Sequence, residues 1–161
     1  MAALPTGYQI AVAKFDNGLG FKIQLKDSLD ASHISDKINH LDLSAATGLH
    51  GTHPPVDYSK TIQNLIKEIQ NQHNGARVGI PKSVLILTNT RTDTRNHGHH
   101  DQLDIATLNS MVQSITIVDV GGNNNVHLAA QYATDASHEL SVPTYADLGA
   151  LVPQLVSLVC A

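Results

Sequence analysis

The run Asn74-Gly75-Ala76-Arg77-Val78-Gly79-Ile80-Pro81-Lys82-Ser83-Val84-Leu85-Ile86-Leu87-Thr88-Asn89-Thr90 leaves the backbone few choices. It predicts a helix end, a tight turn and then a strand. Gly75 supplies the positive φ that closes a helix. Pro81 bars helix at Ile80 and restarts the chain as extended. Val84, Leu85, Ile86 and Leu87 are consecutive apolar residues. Both faces of the strand are therefore expected to be buried, the habit of a central parallel strand. The polar run from Thr88 to Arg95 follows where the strand emerges. In open α/β sheets, ligands bind beyond the carboxyl ends of such strands.

The flanking segments fit around that strand. Tyr8 to Phe15 is rich in β-formers and reads as a strand, and Asp16-Asn17-Gly18 is a turn signal. Phe21 to Leu25 alternates, with Phe21, Ile23 and Leu25 on one face, and reads as an edge strand antiparallel to the first. Asp27 or Ser28 can cap a helix reaching about Leu41, with Ile34, Ile38 and Leu41 on one stripe. Leu43 to Val56 is a loop. Asp57 caps a second helix, whose Tyr58, Ile62, Leu65, Ile66 and Ile69 form the cleanest amphipathic pattern in the chain.

Beyond the opening strand lies a His-rich loop, Asn96 to His100, and then a helix from about Asp101 to Gln113. Ile115 to Val120 is a second buried strand, ended by Gly121-Gly122. Asn123 to Tyr132 reads as a short helix and Glu139 to Val142 as a short strand. Thr144 caps a last helix carrying Leu148, Leu151, Val152, Leu155 and Val159. Pro153 either kinks that helix or marks where its regular part begins. Alternation of strand and helix from Pro81 onward implies right-handed crossovers and a parallel sheet flanked by helices. The antiparallel pair at the start makes the expected sheet mixed.

The totals narrow the function classes. A chain of 161 residues suits one domain, 1–161, with a sizeable core. Only 15% of residues are charged and the net charge is -4, which gives no footprint for nucleic acid or an anionic membrane. No apolar run is long enough to span a bilayer, and the first residues lack the pattern of a secretory signal. The one cysteine, Cys160, excludes an internal disulfide; a bridge to a segment outside this chain stays open.

Taken together, these segments resemble the von Willebrand factor A domain family. The resemblance rests on the amphipathic helix followed by Gly75-Ala76-Arg77, a short spacer, Pro81-Lys82 and an apolar strand ending in Thr88. Ile115 to Gly121 is similar to the family's next strand, and His138 to Leu148 to its last strand and the entry to its final helix. Cys160 sits where many extracellular members carry a closing cysteine. Tyr8 to Leu25 is similar to the family's second and third strands. The resemblance implies a Rossmann-like three-layer α/β/α fold with a mostly parallel sheet and one antiparallel edge strand. It also implies that the family's central first strand, with its Asp-x-Ser-x-Ser motif, is missing before Tyr8. The chain then reads as an N-terminally incomplete domain of a larger secreted protein.

Adhesive members of that family hold magnesium or manganese at the carboxyl ends of the strands, where hard oxygen ligands suit these ions. Carried over residue by residue, the ligand set is degraded here. The first-strand ligands are absent, and Asn89 stands where the family has Asp. The family's Thr falls at Val56, so that only a shifted loop brings Thr52, or Thr47, into its place. A neutral amide and one hydroxyl do not strip water from magnesium. No cofactor is therefore expected. Asp93 and Asp119 are nearby carboxylates; a surface loop Asp and a strand-end Asp bonded to backbone amides is the simpler reading.

His97, His99 and His100 cluster in one loop, and His50 and His53 in another. Imidazole suits zinc, but the spacing matches no zinc signature, and solvated loop histidines are the plainer account. No Ser has a credible His and Asp arrangement, and Gly121-Gly122-Asn123 is not a phosphate-cradling loop. The expectation is a non-catalytic interaction module for a protein ligand such as a matrix protein or collagen. Its binding loops are Thr47 to Val56, Asn89 to His100 (including Thr90 and Asp93) and Gly121 to Asn125, with Asn123 at the centre of the last. The alternatives are a small nucleotide-binding α/β enzyme and a non-functional fragment.

Overall fold

The computed structural model of the 161-residue chain describes residues 9, 11–15, 19–25, 32–34, 36, 40, 58–88, 99–121 and 132–159. The chain forms two compact units, Met1–Val78 and Gly79–Ala161.

In the first unit, β1 (Val12–Phe15) and β2 (Leu19–Ile23) pair antiparallel, as their composition predicts. Their limits differ from the expected Tyr8–Phe15 and Phe21–Leu25. Ala13 faces Phe21 while Val12 faces Ile23, so the register slips and Lys22 is the extra residue of a bulge. The bulge shifts the alternation, and Leu25 falls in a turn instead of extending the strand. Gln9 and Leu25 stay joined by a side-chain bond, Gln9 Nε2 donating to the Leu25 carbonyl at 3.0 Å. The turn residues Asp16, Asn17 and Gly18 lie outside the described residues, as does most of the first predicted helix. Residues 32–34 and 36 are helical there, with Ile34 buried.

Helix α1 (Tyr58–Gln70) follows the sequence pattern closely. Ile62 and Ile66 are buried, Leu65 and Ile69 half-buried, and the helix lies against β2, whose Ile23 is also buried. Burying a side chain of this size stabilises by roughly 1.5–3 kcal/mol. The helix gives way to a single 3-10 turn, Gln72–Asn74, which the Asn71 side chain caps by accepting from the His73 N–H at 3.0 Å. Gly75 then reverses the chain at φ 89°, its N–H donating to the Gln72 carbonyl at 3.0 Å.

The second unit is a three-stranded parallel sheet, β3 (Ser83–Thr88), β4 (Ser114–Val120) and β5 (Glu139–Val142), in the order β3-β4-β5. Helix α2 (His99–Met111) connects β3 to β4, and a parallel neighbour reached through a helix implies the right-handed crossover. Central β4 is buried along almost its whole length. On one face, Val118 and Val120 of β4 and Val142 of β5 pack against Leu148, Leu151 and Leu155 of α3 (Leu148–Val159). On the other face Ile115 and Ile117 are equally buried, as are Leu108 of α2 and Tyr132. Beyond the reach of β5, Thr134 completes the start of β4: the Ile115 N–H donates to Thr134 Oγ1 at 2.7 Å, and the Thr134 N–H donates to the Ile115 carbonyl at 3.0 Å.

Three expectations need correction. β3 is not buried on both faces: Leu85 and Leu87 are 40% and 42% exposed, since among the described residues β3 has a neighbouring strand on one side alone and the cluster under α3 centres on Val118, Val120 and Val142. Thr144 does not cap α3 directly. It opens a 3-10 turn, Tyr145–Asp147, where its N–H and hydroxyl both donate to Asp147 Oδ2, at 3.0 and 2.7 Å. Pro153 does not mark the beginning of the last helix, which starts at Leu148 with Pro153 inside it.

Candidate functional site

Parallel pairing sends the carboxyl ends of all three strands of the second unit to the same end of the sheet. There the register sets Thr88 beside Asp119, and Asp119 beside Ser141. Since Val118 packs toward α3, alternation points Asp119 to the opposite face, and its register partners Thr88 and Ser141 with it. The result is a row of hydroxyl, carboxylate and hydroxyl running from buried Thr88 through half-buried Asp119 to exposed Ser141. Gly121, at φ 103°, then turns the chain out of β4, and its N–H donates to the Val142 carbonyl at 2.8 Å.

Three oxygen side chains in a row invite comparison with a cation site. Only one of them is a carboxylate, and magnesium sites use one or two carboxylates together with several retained waters and further ligands. Among the described residues no group of three His, Cys, Asp or Glu could hold a metal ion. Thr88 is buried, so of the row only Asp119 and Ser141 reach the surface.

Most of the residues singled out from sequence lie outside the described residues. These are Thr47, His50, Thr52, His53, Asn89, Thr90, Asp93, His97, Asn123 and Cys160. His99 and His100 are a correction: they form the first turn of α2 and not the end of a loop.

A second polar cluster was not anticipated as a site. Asp135 caps a 3-10 turn, Ala136–His138, and its Oδ1 accepts from the Ser137 N–H at 2.8 Å, from Ser137 Oγ at 2.6 Å and from His138 Nδ1 at 2.9 Å. These bonds, led by that of the Ser137 hydroxyl, hold the Asp135 carboxyl at about 2, below its ordinary 3.8. The composition is that of a hydrolase triad, but the roles are not. Ser137 gives its proton to the carboxylate and not to the imidazole, and His138 turns the same nitrogen to both. A serine nucleophile needs the imidazole between hydroxyl and carboxylate. The sequence signal was available, an Asp followed two residues on by Ser in a turn.

No protein-family model matches the chain, and no curated protein matches it. Solved structures do. The proximal thread matrix protein 1 of the mussel byssus superimposes with a TM-score of 0.76 at 16% identity, over 94% of this chain and 36% of that one. A second crystal form gives 0.73 at 16% identity, over 94% and 37%. The same protein with a zinc-occupied MIDAS motif gives 0.75 at 16% identity, over 96% and 37%. The chain thus spans little more than a third of the matched protein's length. At this identity the likeness concerns the fold, and that fold is an α/β fold like that of the von Willebrand factor A domain.

Proposed function

We propose that this chain is a non-catalytic protein-interaction module of extracellular matrix type, reading its ligand with the loops beyond the carboxyl ends of β3, β4 and β5. The observation that carries this reading is the fold shared over 94–96% of the chain with a byssal thread matrix protein. Asp119 and Ser141 lie at that end of the sheet. Thr90, Asp93, His97 and Asn123 in the loops that follow, with His99 and His100 at the start of α2, would supply contacts. Thr47, His50, Thr52 and His53 belong to a separate loop of the first unit that would offer contacts of its own, and Cys160 would bridge to a segment outside this chain.

The contact is proposed to need no metal. Asn89 stands where the resemblance expects Asp, and Thr52 reaches the family's Thr position only through a shifted loop. Low charge favours this mode: a surface dominated by hydroxyl, amide and imidazole groups contacts protein through neutral hydrogen bonds rather than through long-range attraction.

The test is retention on immobilised matrix proteins, fibrillar collagen first, with and without chelator. Binding that persists in chelator and weakens in Asp119→Ala supports the proposal. Binding abolished by chelator contradicts the metal-free part, and absence of binding to every matrix protein tried contradicts the assignment.

A further inference from the structure

Asn74 and Gly75 stand side by side at the reversal that follows α1. The pair carries chemistry of its own. The backbone nitrogen that follows an asparagine can attack the asparagine side-chain carbonyl carbon, and glycine hinders that attack least because it has no Cβ. The backbone conformation decides whether the attack occurs. Asn74 is the last residue of the 3-10 turn Gln72–Asn74, so its ψ is helical, and closing a cyclic imide onto the next nitrogen requires ψ to leave that range. The attacking nitrogen is also engaged, since the Gly75 N–H donates to the Gln72 carbonyl at 3.0 Å. Asn71 holds the turn: its side chain accepts from the His73 N–H at 3.0 Å, and its own N–H donates to the Glu68 carbonyl at 3.2 Å. Asn71, Gln72 and His73 are exposed, and helix ends are where local opening is easiest.

We propose that Asn74 is a site of spontaneous deamidation gated by this 3-10 turn, inert while the Gly75 N–H is bonded to Gln72 and reactive when the turn opens. In the open state the Gly75 nitrogen gives up its proton and bonds to the Asn74 side-chain carbonyl carbon. The bond from that carbon to the side-chain nitrogen breaks, and the nitrogen leaves as ammonia, taking the proton with it. Water then hydrolyses the resulting cyclic imide at either carbonyl. One opening gives aspartate at position 74, the other isoaspartate, in which the main chain runs through the former side chain. Water is the co-reactant, nothing is oxidised or reduced, and the net change is a side-chain amide exchanged for a carboxylate.

Both products work against the return of the turn. Aspartate sets a negative charge at the C-terminal end of a helical segment, where the backbone dipole disfavours anions. Isoaspartate lengthens the main chain between Gln72 and Gly75 by a carbon, so their N–H and carbonyl no longer close the same ring. The conversion is therefore one-way, because it weakens the bond whose opening permits it. The inference does not rest on the proposed matrix role, since the reaction needs only water and the chain's own residues.

Incubation of the full chain in neutral buffer, followed by tandem mass spectrometry of the tryptic peptide Glu68–Arg77, tests it. Conversion at Asn74 should be at least about tenfold slower in the folded chain than in urea. It should be about fivefold faster in folded Asn71→Ala than in the folded wild type, because the turn loses its cap. Equal rates in folded and unfolded wild type overturn the gating, as does a folded rate unmoved by Asn71→Ala, and no conversion in urea overturns the site itself. Should Asn71→Ala fail to fold, amide exchange of Gly75 in the wild type decides. A protected amide whose exchange rises together with deamidation as urea is raised below the unfolding transition supports the proposal. An amide that exchanges as fast in the folded chain as in the unfolded one overturns it.

Discussion

Leu87 of β3 and Val118 of β4 stand opposite each other on the same face of the sheet, yet Leu87 is 42% exposed and Val118 is 0% exposed. One step across the ladder separates the packed interior of the second unit from its margin. Val118→Ala should therefore cost about 2 kcal/mol, combining lost transfer energy with the cavity left against α3. Leu87→Ala should cost less than about 1 kcal/mol. Denaturant unfolding of the two variants checks the asymmetry, and equal losses would contradict it.

Thr116 lies two residues before Val118 on the same face of β4. It is fully buried, and among the described residues its Oγ1 has no hydrogen-bond partner. A buried orphan hydroxyl is destabilising, and Thr116→Val replaces it with a methyl group of the same shape. The variant should be more stable by about 1 kcal/mol. A clear loss of stability would mean that the hydroxyl is bonded in solution.

The Asp135 carboxyl should titrate at about 2, not at its ordinary 3.8. Its folded value is depressed, so the stability it contributes is fully present above 3.8 and is lost as the pH falls toward about 2. Carbon NMR of the carboxyl group reads the midpoint directly. Ser137→Ala removes the largest of the causes and should raise that midpoint toward the ordinary value; an unchanged midpoint would assign the shift elsewhere.

Gly75 holds φ 89° at the reversal after α1. Gly75→Ala places a Cβ in the left-handed region and should cost about 1 kcal/mol. Thermal unfolding checks this, and a neutral result would mean that the turn relaxes.

How much of this could be read beforehand depends on what each signal reports. The stripe Ile62, Ile66 and Ile69 was legible because helical spacing directly encodes which face is buried. Gly75 and the strand Glu139–Val142 were legible for similarly local reasons. The apolar run Val84 to Leu87 misled, because such a run records a preference for burial and not the number of neighbouring strands. The slip between Val12 and Ala13 was hidden too, since a bulge depends on how two strands fit. The Thr88–Asp119–Ser141 row is a property of register, which no single segment contains. The pair of bonds from Thr134 to Ile115 is likewise tertiary. In the candidate site, His99 and His100 were misread because a polar His-rich run carries the composition of a loop even where it opens a helix.

The central claim is a matrix-type interaction module that works without a metal ion, and calorimetric titration of the whole chain with magnesium, manganese and zinc tests it most directly. The account predicts no site tighter than roughly millimolar. Micromolar binding of magnesium or manganese that disappears in Asn89→Ala would contradict it.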